Sequence, residues 1–312
     1  MRRLWNAWVA LWDRRESPAA LAAVRIALGV VLLYDLLSIA WLGLITPLFA
    51  LPPDGFAMPH TGWAADWLGT GPHAAFALWL AATIAAGCLV VGAATRVACV
   101  VFVLVSAQLA YTAPSGDRGI DVMLRVFVAI LAFSRCNAVW SVDRWVWRWL
   151  GRRMPDEVPA WPRYLLMLQL VWIYFSGGSN KSGAEWRPDG GFAALSNALT
   201  DPHLARFSSG WVELIDPVAR MATALTMLFE LAAPVYLLLV YFAETADRPG
   251  RARRFCNRYR LRFVWLGLGA AFHLGIAATL QLGIFPWGML AIYPALLLPR
   301  EVAALTRVGR AG

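Results

Sequence analysis

The sequence predicts an all-α protein: a polytopic membrane helical bundle of about eight transmembrane helices, both termini cytoplasmic, with an N-terminal interfacial amphipathic helix. Three observations carry this prediction. Of the 312 residues, 60% are hydrophobic and only 15% charged, and mean hydropathy is +0.57. A soluble domain carries about 25% charged residues, so the composition excludes disorder and argues against a soluble enzyme. The apolar residues gather into stretches at about 19–40, 73–93, 97–113, 118–136, 163–179, 217–242, 263–281 and 284–299. Eight spans of roughly 20 residues use about half of such a chain. Finally, the arginines are heavy on alternate sides of these stretches.

The elements follow in order. Residues 1–16 place Leu4, Trp5, Trp8, Val9 and Trp12 on one helical stripe flanked by arginines, the pattern of a helix lying in the interface. Asp13-Arg14-Arg15 interrupts the apolar run and no A-x-A site follows, so a signal peptide is not expected. Residues 17–302 form the transmembrane domain and 303–312 a short cytoplasmic tail. Up to Arg15 there are four basic residues and in the 50–72 loop none; 135–163 holds six, 248–262 seven, 180–216 three, and the 281–286 turn none. That alternation places 41–72, the turn near 113–117, the 180–216 segment and the 281–286 turn outside. Phe192, Leu195 and Leu199 suit a short amphipathic or re-entrant helix in 180–216. Tryptophans near span ends read as interfacial belts.

The net charge of +9 is assigned to cytoplasmic loops and anionic lipid, with no nucleic acid expected, since no basic stripe lies on a soluble face. Cys88, Cys99, Cys136 and Cys256 form no CxxC pair and no His/Cys cluster with zinc spacing. Free thiols and no metal are the expectation.

Ionisable groups within spans are costly and mark candidate sites. Arg25 and Asp35 lie in the first span. Asp117, Asp121 and Arg125 share a helical face, with opposite charges adjacent at 121 and 125. Glu230 is mid-span before Pro234, His273 is mid-span, and Gln281 ends that helix. Each has two readings, as a charge that pairs across helices to hold the bundle or as part of a site. Glu230 has no cation at its depth in its own helix, so Arg125 or His273 would have to reach it.

The stretch 174–190, YFSGGSNKSGAEWRPDG, is the most informative. A helix is expected to end at Gly177-Gly178, which lack Cβ and allow a turn or a close approach. Lys181 follows within one turn, then Glu185, Trp186 and Arg187. It is the sole lysine among 28 basic residues. A desolvated lysine at a membrane boundary can serve as a base, and a snorkelling lysine at a span end is the other reading.

The order of SPAALAAVRIALGVVLLYD, NAVWSVDRW, YFSGGSNKSGAEWRPDG, FELAAPVYLLL and FHLGIAATLQLGIFPWGMLAIYPALLLP resembles the HTTM superfamily. That superfamily includes the membrane domain of vitamin K-dependent gamma-carboxylases and bacterial relatives. The resemblance covers nearly the whole chain and implies a multi-pass protein of a bacterial-type inner membrane. In the carboxylases, a lysine in the segment like YFSGGSNKSG activates reduced vitamin K, which leads to carboxylation of a peptide glutamate. The resemblance therefore implies Lys181 as base; Glu230, His273 and Asp121, singled out above as ionisable groups in spans, are the further catalytic candidates, to tune charge or relay protons. Gly177, Gly178, Trp186 and Arg125 would hold the cofactor, a reduced quinone such as vitamin K. Where the carboxylases have a histidine, this chain has SGDRGID, and their C-terminal region for propeptide recognition is not expected here.

Three functions are consistent with this reading. The first is quinone-linked redox or base chemistry at an outward-facing cavity, carboxylase- or epoxidase-like. The second is a non-catalytic membrane partner in maturing or handling a secreted peptide or protein, as some relatives appear in peptide-toxin maturation. The third is a small-molecule transporter, against which stands the lack of an inverted repeat of broken helices.

Overall fold

The structure, a computed structural model, describes residues 5–6, 9–10, 12–58 and 62–302. The tail 303–312 lies outside the described residues, as do Leu4 and Trp8 of the N-terminal stripe. Trp5 and Val9 of that stripe are helical and exposed.

Among the described residues the chain is helical apart from two short strands, β1 (Arg15–Glu16) and β2 (Val158–Pro159), and connecting turns. The helices are α1 (Ala19–Trp41), α2 (Ile45–Phe49), α3 (Gly62–Leu68), α4 (Pro72–Val91), α5 (Thr95–Thr112), α6 (Gly119–Ala132) and α7 (Val142–Trp149). They continue with α8 (Trp161–Asn180), α9 (Ala194–Thr200), α10 (Val212–Leu231), α11 (Val235–Glu244), α12 (Arg251–Arg258), α13 (Leu261–Thr279), α14 (Phe285–Leu290) and α15 (Tyr293–Leu296).

Each of the eight apolar stretches holds helix, but the helices are unequal. α1, α4, α5 and α13 are long and apolar enough to cross a membrane, and the bent pair Ser209–Leu231 and Val235–Glu244 counts as a fifth. The 60° bend of that pair falls at Ala232–Pro234, where proline cannot continue the hydrogen-bond ladder. α6 has 14 residues, α14 and α15 are short, and α8 carries Arg163, Gln169 and a polar last turn. Val30, Tyr34 and Leu37 on α1, Leu80 and Ile84 on α4, and Val97, Val100 and Leu104 on α5 are large, apolar and exposed. Helices that are apolar on their outer as well as their inner faces have lipid as their solvent.

The chain divides into two compact units, residues 1–166 with 291–312, and residues 167–290. In the first, Gly29 lets α1 meet α4, because a Cβ there would lie 2.8 Å from the Val90 nitrogen. Arg25 is buried on α1 and its guanidinium donates to the carbonyls of Cys136 and Trp140. Gly92, at φ +70, closes α4 against that guanidinium, where a Cβ would stand 2.6 Å from Nη1. A buried cation is tolerable when the backbone supplies its acceptors.

The VWSVDRW stretch has a structural role in the same unit. The Ser141 hydroxyl caps α7 by accepting from the Arg144 N–H at 3.0 Å. Asp143 reaches to the next helix: its carboxylate accepts from the N–H groups of Ala94 (2.6 Å) and Thr95 (3.0 Å) at the start of α5, and from Asn137 Nδ2 (2.8 Å). At the chain's near end, β1 pairs with β2, and Arg163 makes a buried two-pronged bond to Glu16 at 2.7 and 2.9 Å.

In the second unit, the 180–216 segment contains α9, seated on α10. The Leu195 N–H donates to Thr223 Oγ1, Ser196 donates to Asp216, and Arg220 joins Asp216 to the Gly191 carbonyl. Leu199, Val212, Ala219 and Leu280 form the apolar cluster beneath it. The end of α13 is tied to the same segment, since Gln281 donates to the carbonyl oxygens of Leu204 (2.7 Å) and Ala205 (2.9 Å). The four cysteines are free thiols.

Candidate functional site

The 174–190 stretch and α10 build one cluster within the second unit. α8 does not end at Gly177-Gly178 but runs on to Asn180, whose amide donates to the Ser176 carbonyl. The glycines serve a different purpose. A Cβ at Gly178 would lie 2.9 Å from the Cβ of Glu230 and 3.2 Å from the Leu231 nitrogen, so only glycine lets α8 and α10 cross this closely. A Cβ at Gly177 would sit 3.8 Å from the Glu230 carboxylate, an ordinary contact.

Lys181 is the first residue after α8 and turns back over the crossing. Its ammonium donates to Glu230 Oε2, forming an ion pair with the lysine side chain 20% and the carboxylate 7% exposed. Nζ also lies 4.8 Å from the centre of the Trp186 ring, which follows on a 3₁₀ turn at Ala184–Trp186. The cation is thus held between a carboxylate and an indole face, both of which attract it. The cation that reaches Glu230 is Lys181, in place of the Arg125 or His273 expected from the sequence.

His273 belongs to a neighbouring aromatic group on the same helices. It is fully buried on α13, and Nε2 lies 2.6 Å from the Tyr174 hydroxyl, two turns before Lys181 on α8. Tyr174 packs edge-on to Phe229, 5.0 Å between centroids, and Phe229 stacks on Trp265 at 4.6 Å. Phe229 precedes Glu230 on α10, so the ion pair and the aromatic group are joined through adjacent residues. The sequence reading missed Tyr174, Phe229 and Trp265. The seven-residue spacing from Tyr174 to Lys181, which keeps both near one helical face, was the available signal.

Asp121 and Arg125 lie in the first unit and do not pair with each other. Asp121 is the third residue of α6, and its carboxylate accepts from the Arg118 backbone N–H and from its Nε, both at 2.9 Å. Arg118 also reaches Asp35 on α1 at 2.7 Å. Arg125 instead grips Asp117, just before the helix, with two bonds of 2.8 and 2.7 Å. Each guanidinium takes the carboxylate that meets its planar fork, and Asp121 is already engaged at the helix start.

Set beside known families, the chain matches the HTTM domain over residues 13–300. No curated protein and no solved structure matches it.

Proposed function

The chain belongs to the HTTM domain family, and from that premise we propose a membrane protein performing base chemistry on a quinol-type lipid, with Lys181 as the base. The observation that carries the reading is the Lys181–Glu230 pair beside Trp186 at the end of α8. To act as a base Lys181 first passes its proton to Glu230, the carboxylate it is bonded to. The free amine then takes the proton of a weakly acidic hydroxyl, which leaves an ammonium beside the oxyanion it has formed. What supports such a ligand is the chemistry gathered here: an indole, an amine and a buried carboxylate stand together at the end of α8. When bound, the quinol supplies the acidic ring hydroxyl and the two-electron chemistry. Tyr174 and His273, bonded to each other at 2.6 Å, are the neighbouring buried polar pair. Gly178 acts through the helix crossing that sets the pair, and Asp121 and Arg125 hold α6.

Eight crossings with both termini cytoplasmic complete the proposal. They are supported by helix in every apolar stretch and by the arginine asymmetry. In that topology Lys181 faces outward across a bacterial-type inner membrane.

The test is organic extraction of the gently purified protein and mass spectrometry of bound lipids, wild type beside Lys181→Ala. A near-stoichiometric quinone in the wild type, reduced or lost in the variant, supports the proposal. Phospholipid alone in both samples overturns it.

One observation favours a second reading, transport. α10 and α11 form a broken helix pair with Glu230 at the break, and discontinuous helices at charged sites are common in transporters. Proton uptake into proteoliposomes that depends on Glu230, with no quinone bound, would select it.

A further inference from the structure

A second feature lies in the first unit and takes no part in the proposed chemistry. Arg15, Arg135, Arg144, Arg148, Arg152 and Arg153 line one cleft of about 680 Å³, with Asp156 as the carboxylate on its wall. Six guanidinium groups against one carboxylate make a concentrated positive site. Arginine is suited to phosphate because its planar fork gives two parallel bonds to two oxygens.

Local structure sets this wall. The guanidinium of Arg144 is anchored by the Ala138 carbonyl at 2.6 Å and stands 3.6 Å from Asp156. After α7 the chain reverses at Gly151, φ +73, with the Arg152 N–H bonded to the Trp147 carbonyl at 2.9 Å. That reversal carries Arg152 and Arg153 back toward Arg148, and the Arg152 guanidinium rests 5.9 Å from the centre of the Trp147 ring.

The other side of α7 indicates where the ligand comes from. Val142, Trp145 and Trp149 form an exposed stripe at i, i+3 and i+7, with the two tryptophans 68% and 78% exposed. Arg144 and Arg148, at i and i+4, form the adjacent stripe that faces the cleft. A short helix with an aromatic stripe beside a basic one lies in the plane of the interface, with its rings at the headgroup and acyl boundary. The arginines then stand at the level of the lipid phosphates.

We propose that this cleft is a headgroup site for a multiply anionic phospholipid, held by bidentate arginine–phosphate bonds. A free phosphate compound shares the recognised chemistry, but the tryptophan stripe assigns the site to a lipid.

The experiment is native mass spectrometry of the purified full chain in neutral detergent. The probes are cardiolipin, phosphatidylglycerol, phosphatidylcholine and inorganic pyrophosphate. Cardiolipin should be retained in preference to phosphatidylcholine, and Arg148→Gln/Arg152→Gln should weaken retention by roughly thirtyfold, as two arginines at a bilayer surface imply. A second variant, Arg135→Gln/Arg153→Gln, should reproduce the loss, which separates it from misfolding of either protein. Arg251→Gln/Arg254→Gln on α12 removes the same charge elsewhere and should leave retention unchanged. Equal loss in that control would mean diffuse surface charge and overturn the proposal. Pyrophosphate binding as tightly as lipid, or no preference over phosphatidylcholine, would also overturn it.

Discussion

Gly178 and Glu230 meet where α8 crosses α10, at a separation that leaves no room for a methyl group: a Cβ on the glycine would lie 2.9 Å from that of the glutamate. Gly178→Ala should therefore push the helices apart and cost about 1–3 kcal/mol, the usual range for overpacking. Gly177→Ala makes only an ordinary contact at 3.8 Å and should change stability by less than about 1 kcal/mol. Thermal unfolding of the two variants in detergent checks the contrast. Equal destabilisation would show that the close crossing is not what the glycines provide.

The Lys181–Glu230 pair should be strongly non-additive. Removing one partner leaves the other charge mostly out of water, so Lys181→Met or Glu230→Met should each cost up to about 3–5 kcal/mol. The double variant should recover much of that loss, because neither charge remains. A double-mutant cycle by denaturant unfolding measures the coupling. Lys181→Arg would keep the charge while lacking an amine that can act as a base at neutral pH, and should abolish any quinol chemistry while staying folded.

Glu16 and Arg163 are both buried and joined by two bonds. Arg163→Met should destabilise the first unit by about 3–5 kcal/mol, whereas surface pairs such as Arg187–Asp189 should be worth at most about 1 kcal/mol. Limited proteolysis near residues 12–18 would report the loss as faster cleavage in Arg163→Met than in Arg187→Gln.

Asp143 gives the protein an acid limit. Burial pushes its carboxyl upward, but bonds from Thr95, Asn137 and Ala94 outweigh burial and hold it below the usual carboxylate value. A depressed folded-state value means that the stabilising contribution is complete above the ordinary aspartate range of about 4 and is lost as pH falls through the folded value. Unfolding temperature should drop more steeply between pH 4 and 2 (on the order of a carboxylate's own range) in the wild type than in Asp143→Asn. Parallel acid curves for the two proteins would show that Asp143 does not set this limit.

The sequence revealed the helices well because their signal, long apolar runs, belongs to each helix alone. Breaks and pairings were less legible. Gly177-Gly178 looked like a helix end, since glycine at a terminus and glycine at a crossing have the same local pattern; only the approach of Glu230 separates them. Asp121 and Arg125 had ideal i, i+4 spacing, yet Arg118 at the helix start and the non-helical Asp117 won those charges. Lys181 and Glu230 were each singled out, but 49 residues apart no periodicity could pair them. The WSVD stretch marked the family without disclosing that Asp143 caps a different helix.

Arg25 imposes an order of events on biogenesis. Its acceptors, the carbonyls of Cys136 and Trp140, lie 111 and 115 residues downstream. At ordinary synthesis rates these appear on the order of ten seconds after the arginine. During that interval the first span must enter the membrane with an arginine still solvated at its end, and it cannot settle to its final depth. α1 should thus finish folding only when the turn after α6 arrives. A ribosome-bound chain ending before residue 136 should leave Arg25 reachable by aqueous modifying reagents, and a longer one should protect it.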